Sequence, residues 1–191
     1  ALMEAVAGHV TAIAPDTPGY GFSDPLPAAP ADLAPYVAAL DALRERLGLE
    51  RVFIYGSATG AQIGIAYALA HPSRVRHLVL DDAASFTREE HDRLVARYFA
   101  DLAPDPLGGH LVRAWTCARD TGLFFPWSDW REASRLPAGG VDPAMVHAVV
   151  MDYLQAGEGY DQACRCALAN EDAARLRQVT VPVTVLRWAG S

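Results

Sequence analysis

The run Arg51-Val-Phe-Ile-Tyr55 is short, apolar and rich in β-branched and aromatic residues, and it passes without a spacer through Gly56-Ser57-Ala58-Thr59-Gly60 into an alanine-rich stretch ending at Ala70. A buried strand turning directly into a helix is predicted, and this junction constrains the fold more than any other part of the chain. Pro72 closes the helix, and Val75 to Leu80 reads as a further buried strand ending at the pair Asp81 and Asp82. Two strands joined by one helix need a crossover and therefore lie parallel, in a sheet expected to be covered by helices on both faces. Upstream, Val10 to Ala14 is predicted as another buried strand, stopped by Pro15. Residues 16–35 hold five prolines together with Gly19 and Gly21, which predicts an ordered loop. Leu33, Tyr36, Val37, Leu40, Leu43 and Leu47 then recur at helical spacing, with Asp32 as N-cap and Gly48 as the left-handed stop.

After Phe86 the pattern changes. Helix-like stretches at about 88–102, 109–119, 142–156 and 159–169 are broken by Pro104, Pro106, Pro126 and Gly139-Gly140, before Val179 to Trp188 returns to a β-branched run. A returning strand makes 88–175 a helical cap inserted into an α/β core formed by 1–87 and 176–191, with a mostly parallel, doubly wound sheet. With 191 residues, 51% of them hydrophobic, the chain can bury a core without a metal or a disulfide staple. No uncharged apolar run reaches membrane-spanning length, and the N-terminus lacks the pattern of a signal peptide, so no membrane role is expected. All 16 basic residues are arginines, outnumbered by 23 carboxylates and scattered, which argues against nucleic acid as a partner. Cys117, Cys164 and Cys166 form no C-x-x-C pair and read as free thiols of a cytoplasmic protein. Asp161 and Asp172 stand apart from other ligand types, no H-x-x-x-H occurs, and neither a metal nor a cofactor is expected.

The chemistry concentrates at the strand-to-helix hinge. In a nucleophile elbow, G-x-Nuc-x-G, the central residue is held in a strained conformation at a strand tip while the flanking small residues let strand and helix approach. Gly56 and Gly60 satisfy the scaffold, and Ala61 and Gly64 keep the helix thin, but the central residue is then Ala58, which has no attacking atom. Making Ser57 central would put Tyr55 and Thr59 where small residues are required.

Ala14-Pro-Asp-Thr-Pro-Gly-Tyr-Gly-Phe-Ser-Asp24 resembles the PDxPGxGxSD loop of α/β-hydrolase-fold proteins. Tyr55-Gly-Ser-Ala-Thr-Gly-Ala61 lies at their elbow position, Ala70-His-Pro-Ser-Arg-Val75 resembles their helix end, and Leu78-Val-Leu80 their next strand. The resemblance covers residues 8–86 well and 176–188 loosely, and is closest to the epoxide-hydrolase, haloalkane-dehalogenase and carbon–carbon-bond hydrolase branches. It implies an α/β-hydrolase core with a helical cap between the strand ending near Leu80 and the one near Val185. Nothing in Ala1 to Gly8 matches the family's HG loop, and all six histidines precede the last strand. The resemblance therefore implies a core incomplete at both ends, with the general-base histidine outside this chain. Residue by residue it implies Ala58 as a vacant nucleophile position, Thr59 as the oxyanion-hole backbone N–H, and Asp82 as candidate acid, with Asp81 competing. Ser57, His110, Trp115, Phe125 and Trp127 are the candidate substrate contacts, the cap aromatics serving either as pocket lining or as the cap's own core. The implied activity is a small-molecule hydrolase acting on an ester, an epoxide or a carbon–carbon bond of a small hydrophobic or aromatic substrate, inert through position 58. The alternative is a ligand-binding, receptor-like or lyase-type member that keeps the pocket without the nucleophile. Oligomeric state stays open.

Overall fold

A computed structural model describes residues 2–83, 85–137 and 139–186. Three strands, β1 (Val52–Ser57), β2 (Val75–Asp81) and β3 (Val183–Leu186), form a parallel sheet in the order β1-β2-β3. Around them run α1 (Leu2–Val6), α2 (Ala34–Arg46), α3 (Thr59–Ala70), α4 (Arg88–Arg97), α5 (Gly109–Thr121), α6 (Pro143–Ala156), α7 (Gln162–Asn170) and α8 (Ala173–Arg177). The helix α3 crosses from β1 to β2 as its sequence predicts. The last strand lies within the predicted 179–188 run, whose final two positions fall outside the described residues.

Several boundaries follow local chemistry. The Asp32 carboxylate accepts from Ala34 N–H at 2.8 Å, two residues into the turn that starts α2, and Gly48 ends that helix at φ 68°. Thr87 and Glu90 close a reciprocal capping box on α4, which fixes its start while the helix stops at Arg97, short of the predicted 102. The proline-rich loop is ordered as expected. Asp16 Oδ2 accepts from Phe22 N–H at 3.0 Å, and the loop carbonyl of Gly21 accepts from Gln155 Nε2 at 2.7 Å.

Two expectations fail. Residues 11–16 form no strand and join no sheet among the described residues; Val10 and Ile13 stand about half exposed. An apolar β-branched run gains strand structure only by pairing, and no described strand pairs with the free edge of β1. Among the described residues the covering of both sheet faces is likewise seen on one face only. Ile54, Gly56, Leu78 and Leu80 face α3, whereas Phe53, Tyr55 and Ser57, on the opposite face, are exposed.

The main core joins the sheet to the helices through Ala61, Ile65, Ala68, Val75, Leu78 and Leu80, backed by Val37 of α2. Asp41 of α2 locks this layer from the outer side. Its carboxylate accepts from Tyr67 Oη at 2.7 Å, from Arg44 Nε at 3.0 Å and from Arg74 Nη1. A second cluster fills the space between α5 and α6 through Ala114, Ala118, Val146 and Val150. A third, Leu33, Tyr36, Ala163 and Cys166, packs α7 against α2 and α3. The result that matters for function is that α7, far along the chain, ends beside the first turn of α3.

Candidate functional site

Ala58 adopts φ 47° and ψ −114°, a region that side chains with a Cβ rarely enter. Three features enforce it. Ala58 N–H donates to Asp81 O at 3.0 Å, Ala58 O accepts from Ala61 N–H at 3.0 Å, and α3 starts on the very next residue. Gly56 allows the crossing, because a Cβ there would stand 2.3 Å from Gly60 O. At Gly60 a Cβ would meet open space, so of the two flanking glycines only Gly56 is demanded by packing. Gly64 is tight as predicted, with a Cβ falling 2.9 Å from Leu78 Cδ1. The strand–elbow–helix is thus built, with a methyl group at its tip.

Thr59 opens α3, so its N–H is among those that a helix start leaves without an intrahelical acceptor. That places a fixed donor beside position 58. Asp82, at the tip of β2, also has positive φ, 53°, a conformation aspartate tolerates better than most residues. Its neighbour Asp81 is turned to the open sheet face, where its Oδ2 accepts from Tyr55 Oη at 2.6 Å and Ser57 lies opposite it in the β1–β2 register. Of the two aspartates, Asp82 is the one whose charge reaches Tyr98 and Glu171.

The predicted aromatic segment gathers next to these groups. Phe125 stacks on Phe86 at 6.4 Å between centroids and meets the edge of Tyr98 at 6.4 Å, and Trp127 Nε1 donates to Tyr98 O at 2.6 Å. His110 and Trp115 both sit on α5. His110 belongs to its own turn, its N–H donating to Asp105 Oδ2 at 2.8 Å and its Nδ1 accepting from Asp105 N–H at 3.3 Å, while Trp115 is partly exposed on the helix surface. Trp130 is held elsewhere, its Nε1 donating at 2.9 Å to the buried carboxylate of Asp120.

Four residues of this neighbourhood escaped the sequence analysis: Phe86, Tyr98, Cys164 and Glu171. Burial raises the Cys164 thiol, and the Thr59 side chain partly offsets the rise. Burial pushes the Tyr98 phenol up to about 12. Burial, and then the charge of Asp82, push the Glu171 carboxyl up to about 7. No local motif around Asn170-Glu171-Asp172 marks this in the sequence.

Two surface clefts, of about 430 Å³ along Met3 to Ala12 and about 380 Å³ between Phe99, Leu102, Tyr160 and Arg165, lie away from the elbow. Among the described residues no group of His, Cys, Asp or Glu side chains is placed to hold a metal ion, and no helix is long and apolar enough to cross a membrane.

Comparison with known proteins agrees with this architecture. The chain is 31% identical over 121 residues to a probable proline iminopeptidase of Streptomyces coelicolor, covering 53% of this chain and 37% of that protein. It is 45% identical over 65 residues to a 2-hydroxy-6-oxononadienedioate/2-hydroxy-6-oxononatrienedioate hydrolase of Pseudomonas putida, covering 34% of this chain and 23% of that one. The chain therefore spans between about a quarter and two fifths of the length of these relatives. Among solved structures, a serine-to-alanine mutant of the meta-cleavage product hydrolase from Pseudomonas fluorescens superposes with a TM-score of 0.61 at 17% identity, covering 96% of this chain and 63% of that one. The enol-lactonase from Burkholderia xenovorans superposes with a TM-score of 0.59 at 20% identity, covering 89% and 59%. At these identities the superpositions establish the fold. A family model described as the alpha/beta hydrolase fold matches residues 1–112, and on that match the chain belongs to the α/β-hydrolase family.

Proposed function

We propose that the elbow at Ala58 is the ligand site of a small-molecule hydrolase framework, for an ester, an epoxide or a carbon–carbon bond, and that residues 88–175 act as its cap. The observation that carries this reading is the strained backbone of Ala58 itself, since a non-glycine residue at φ 47° is retained where the surrounding scaffold over-determines it. Thr59 N–H supplies the oxyanion donor, Asp82 the carboxylate that would orient a histidine, and Phe125 and Trp127 an apolar wall suited to a hydrophobic or aromatic substrate. Ser57, on the other sheet face with Asp81, and His110, engaged by Asp105, take lesser parts in this arrangement.

With alanine at position 58 no covalent attack starts there, and loss of a triad nucleophile costs on the order of a millionfold in rate. The same absence supports the second reading, a binding or lyase-type protein that uses the pocket alone. Hydrolysis of p-nitrophenyl esters separates the two. The Ala58→Ser variant is expected to release p-nitrophenolate above the parent background, more readily from a benzoyl than from an acetyl ester, and to lose that preference with Trp127→Ala. A folded Ala58→Ser variant at background rate, together with saturable binding of an aromatic ligand by the parent, would replace hydrolysis with binding.

A further inference from the structure

The cleft of about 380 Å³ that lies away from the elbow is bounded by two segments, 99–103 leaving α4 and 160–165 entering α7. Its walls are pinned to one another and to their neighbours. Tyr160 Oη donates to Ala100 O at 2.8 Å, linking the two segments, and the Tyr160 carbonyl accepts from Tyr20 Oη at 2.5 Å. Arg113 of α5 holds the other wall, its Nε donating to Asp101 O at 2.6 Å. A concavity fixed in this way receives a ligand without rearrangement, and its volume falls in the range of small-molecule sites.

Arg165 stands in this cleft with its orientation fixed and its fork unoccupied. Its guanidinium carbon lies 4.0 Å from the centre of the Phe99 ring, and its Nε donates to Asp161 Oδ2 at 2.5 Å. A stacked face and a hydrogen bond at Nε together set the plane of the group. Its two terminal amines donate to no acceptor among the described residues, and the side chain is half exposed. Asp101, on the other wall, uses Oδ1 to accept from Ala103 N–H at 3.0 Å, and its Oδ2 has no protein donor among the described residues. The other nearby cation, Arg113, is engaged by Asp101 O and by Asp105 Oδ2 at 3.3 Å. The rest of the lining is apolar: Phe99, Ala100, Leu102, Ala103 and the Tyr160 ring. One guanidinium beside the two carboxylates Asp101 and Asp161 leaves the cleft with a single negative charge. That charge repels a simple anion, and a simple cation leaves the Arg165 fork empty, whereas a zwitterion satisfies both groups.

We propose that this cleft is a second ligand site, separate from the elbow, for a free α-amino acid with an apolar or aromatic side chain. The carboxylate takes the two terminal amines of Arg165 as a bidentate pair, and the ammonium donates to Asp101 Oδ2. The side chain lies against Ala100, Ala103 and Tyr160. The Arg165–Asp161 pair persists in the complex, because Nε and the terminal amines serve different partners. Binding uses no group at position 58, so the site stands whether or not the elbow takes a substrate.

Isothermal titration calorimetry with L-phenylalanine tests this. The parent is expected to bind it saturably. Phenylacetate, which lacks the ammonium, and 2-phenylethylamine, which lacks the carboxylate, should each bind about tenfold or more weakly, the effect of losing one charged hydrogen-bonded contact. Arg165→Gln and Asp101→Asn should each weaken L-phenylalanine by about tenfold or more. They should also change selectivity in opposite senses: Arg165→Gln should stop discriminating against 2-phenylethylamine, and Asp101→Asn against phenylacetate. A parent that shows no saturable binding, or that binds all three compounds alike, overturns the proposal, and this comparison stands even if a variant misfolds. L-phenylalanine binding that survives both substitutions also overturns it, because the amino acid would then lie elsewhere.

Discussion

Replacing Ala58 with glycine is expected to stabilise the protein by about 1 kcal/mol. A non-glycine residue held at φ 47°, ψ −114° carries about 1–3 kcal/mol of backbone strain, which glycine relieves. Against that, glycine loses more freedom on folding, a cost of about 0.5–1 kcal/mol. The methyl group itself contributes little, because Ala58 is exposed. The backbone bonds that hold the turn, Ala58 N–H to Asp81 O and Ala61 N–H to Ala58 O, survive the change. Urea unfolding should show a higher midpoint at constant slope, and thermal unfolding a rise of about 2–4 °C for a chain of this length. Ala58→Ser, which keeps the Cβ, should stay within about 0.5 kcal/mol of the parent. A loss of about 1 kcal/mol or more in Ala58→Gly would refute the reasoning, since it would mean that the observed dihedrals cost alanine nothing.

The neighbouring glycines separate by what a Cβ would meet. Gly56→Ala drives a Cβ into the backbone of Gly60 and should cost about 3 kcal/mol or more, whereas Gly60→Ala, in open space inside α3, should gain about 0.5–1 kcal/mol; chemical denaturation of both variants checks the contrast. Asp41→Ala should cost about 2–4 kcal/mol, because it strands the buried Tyr67 hydroxyl and leaves Arg74 and Arg44 with only the more exposed Glu45 as a carboxylate partner. The same carboxyl predicts acid behaviour. Arg74, then the Tyr67 and Arg44 hydrogen bonds, hold it well below the usual carboxylate range, so its stabilisation is complete above the ordinary value near 4 and is lost as pH falls below it. Unfolding midpoints measured from pH 6 down to pH 2 should fall more steeply for the parent than for Asp41→Asn.

The extent to which this site could be read from the chain depended on whether its signals were local. The β1–elbow–α3 unit was legible because every determinant lies within Arg51 to Ala70: an apolar run, a glycine that must pass under a backbone, an alanine-rich helix. The stop at Gly48 was legible for the same reason, whereas the N-cap falls on Leu33, one residue after the predicted Asp32, whose carboxylate still accepts from Ala34 N–H. Val10 to Ala14 misled because its composition reports only a capacity to pair, and pairing depends on what lies alongside. Glu171 was invisible since its meaning comes from a hydrogen bond between Asn170 and Gln62, residues 108 apart in sequence. Tyr98 likewise acquires its place only when Phe125 and Trp127 fold back onto the end of α4. Periodicity carries no information about such distant contacts.

The strain at the elbow and the chemistry at the elbow have separate origins. The conformation of residue 58 is imposed by the approach of Gly56 to Gly60, by the bond to Asp81 O and by the start of α3, none of which involves a side-chain atom of residue 58. Alanine therefore experiences the same backbone that a serine or an aspartate would, and a change at this codon alters reactivity without rebuilding the turn. The reverse also holds: if Ala58→Gly proves more stable, the strain is a cost that position 58 now bears without any attacking atom to use it. Any chemistry at this turn would then have to come from groups placed around it rather than on it, and the Thr59 N–H, which the helix start leaves without an intrahelical acceptor, is the nearest fixed donor.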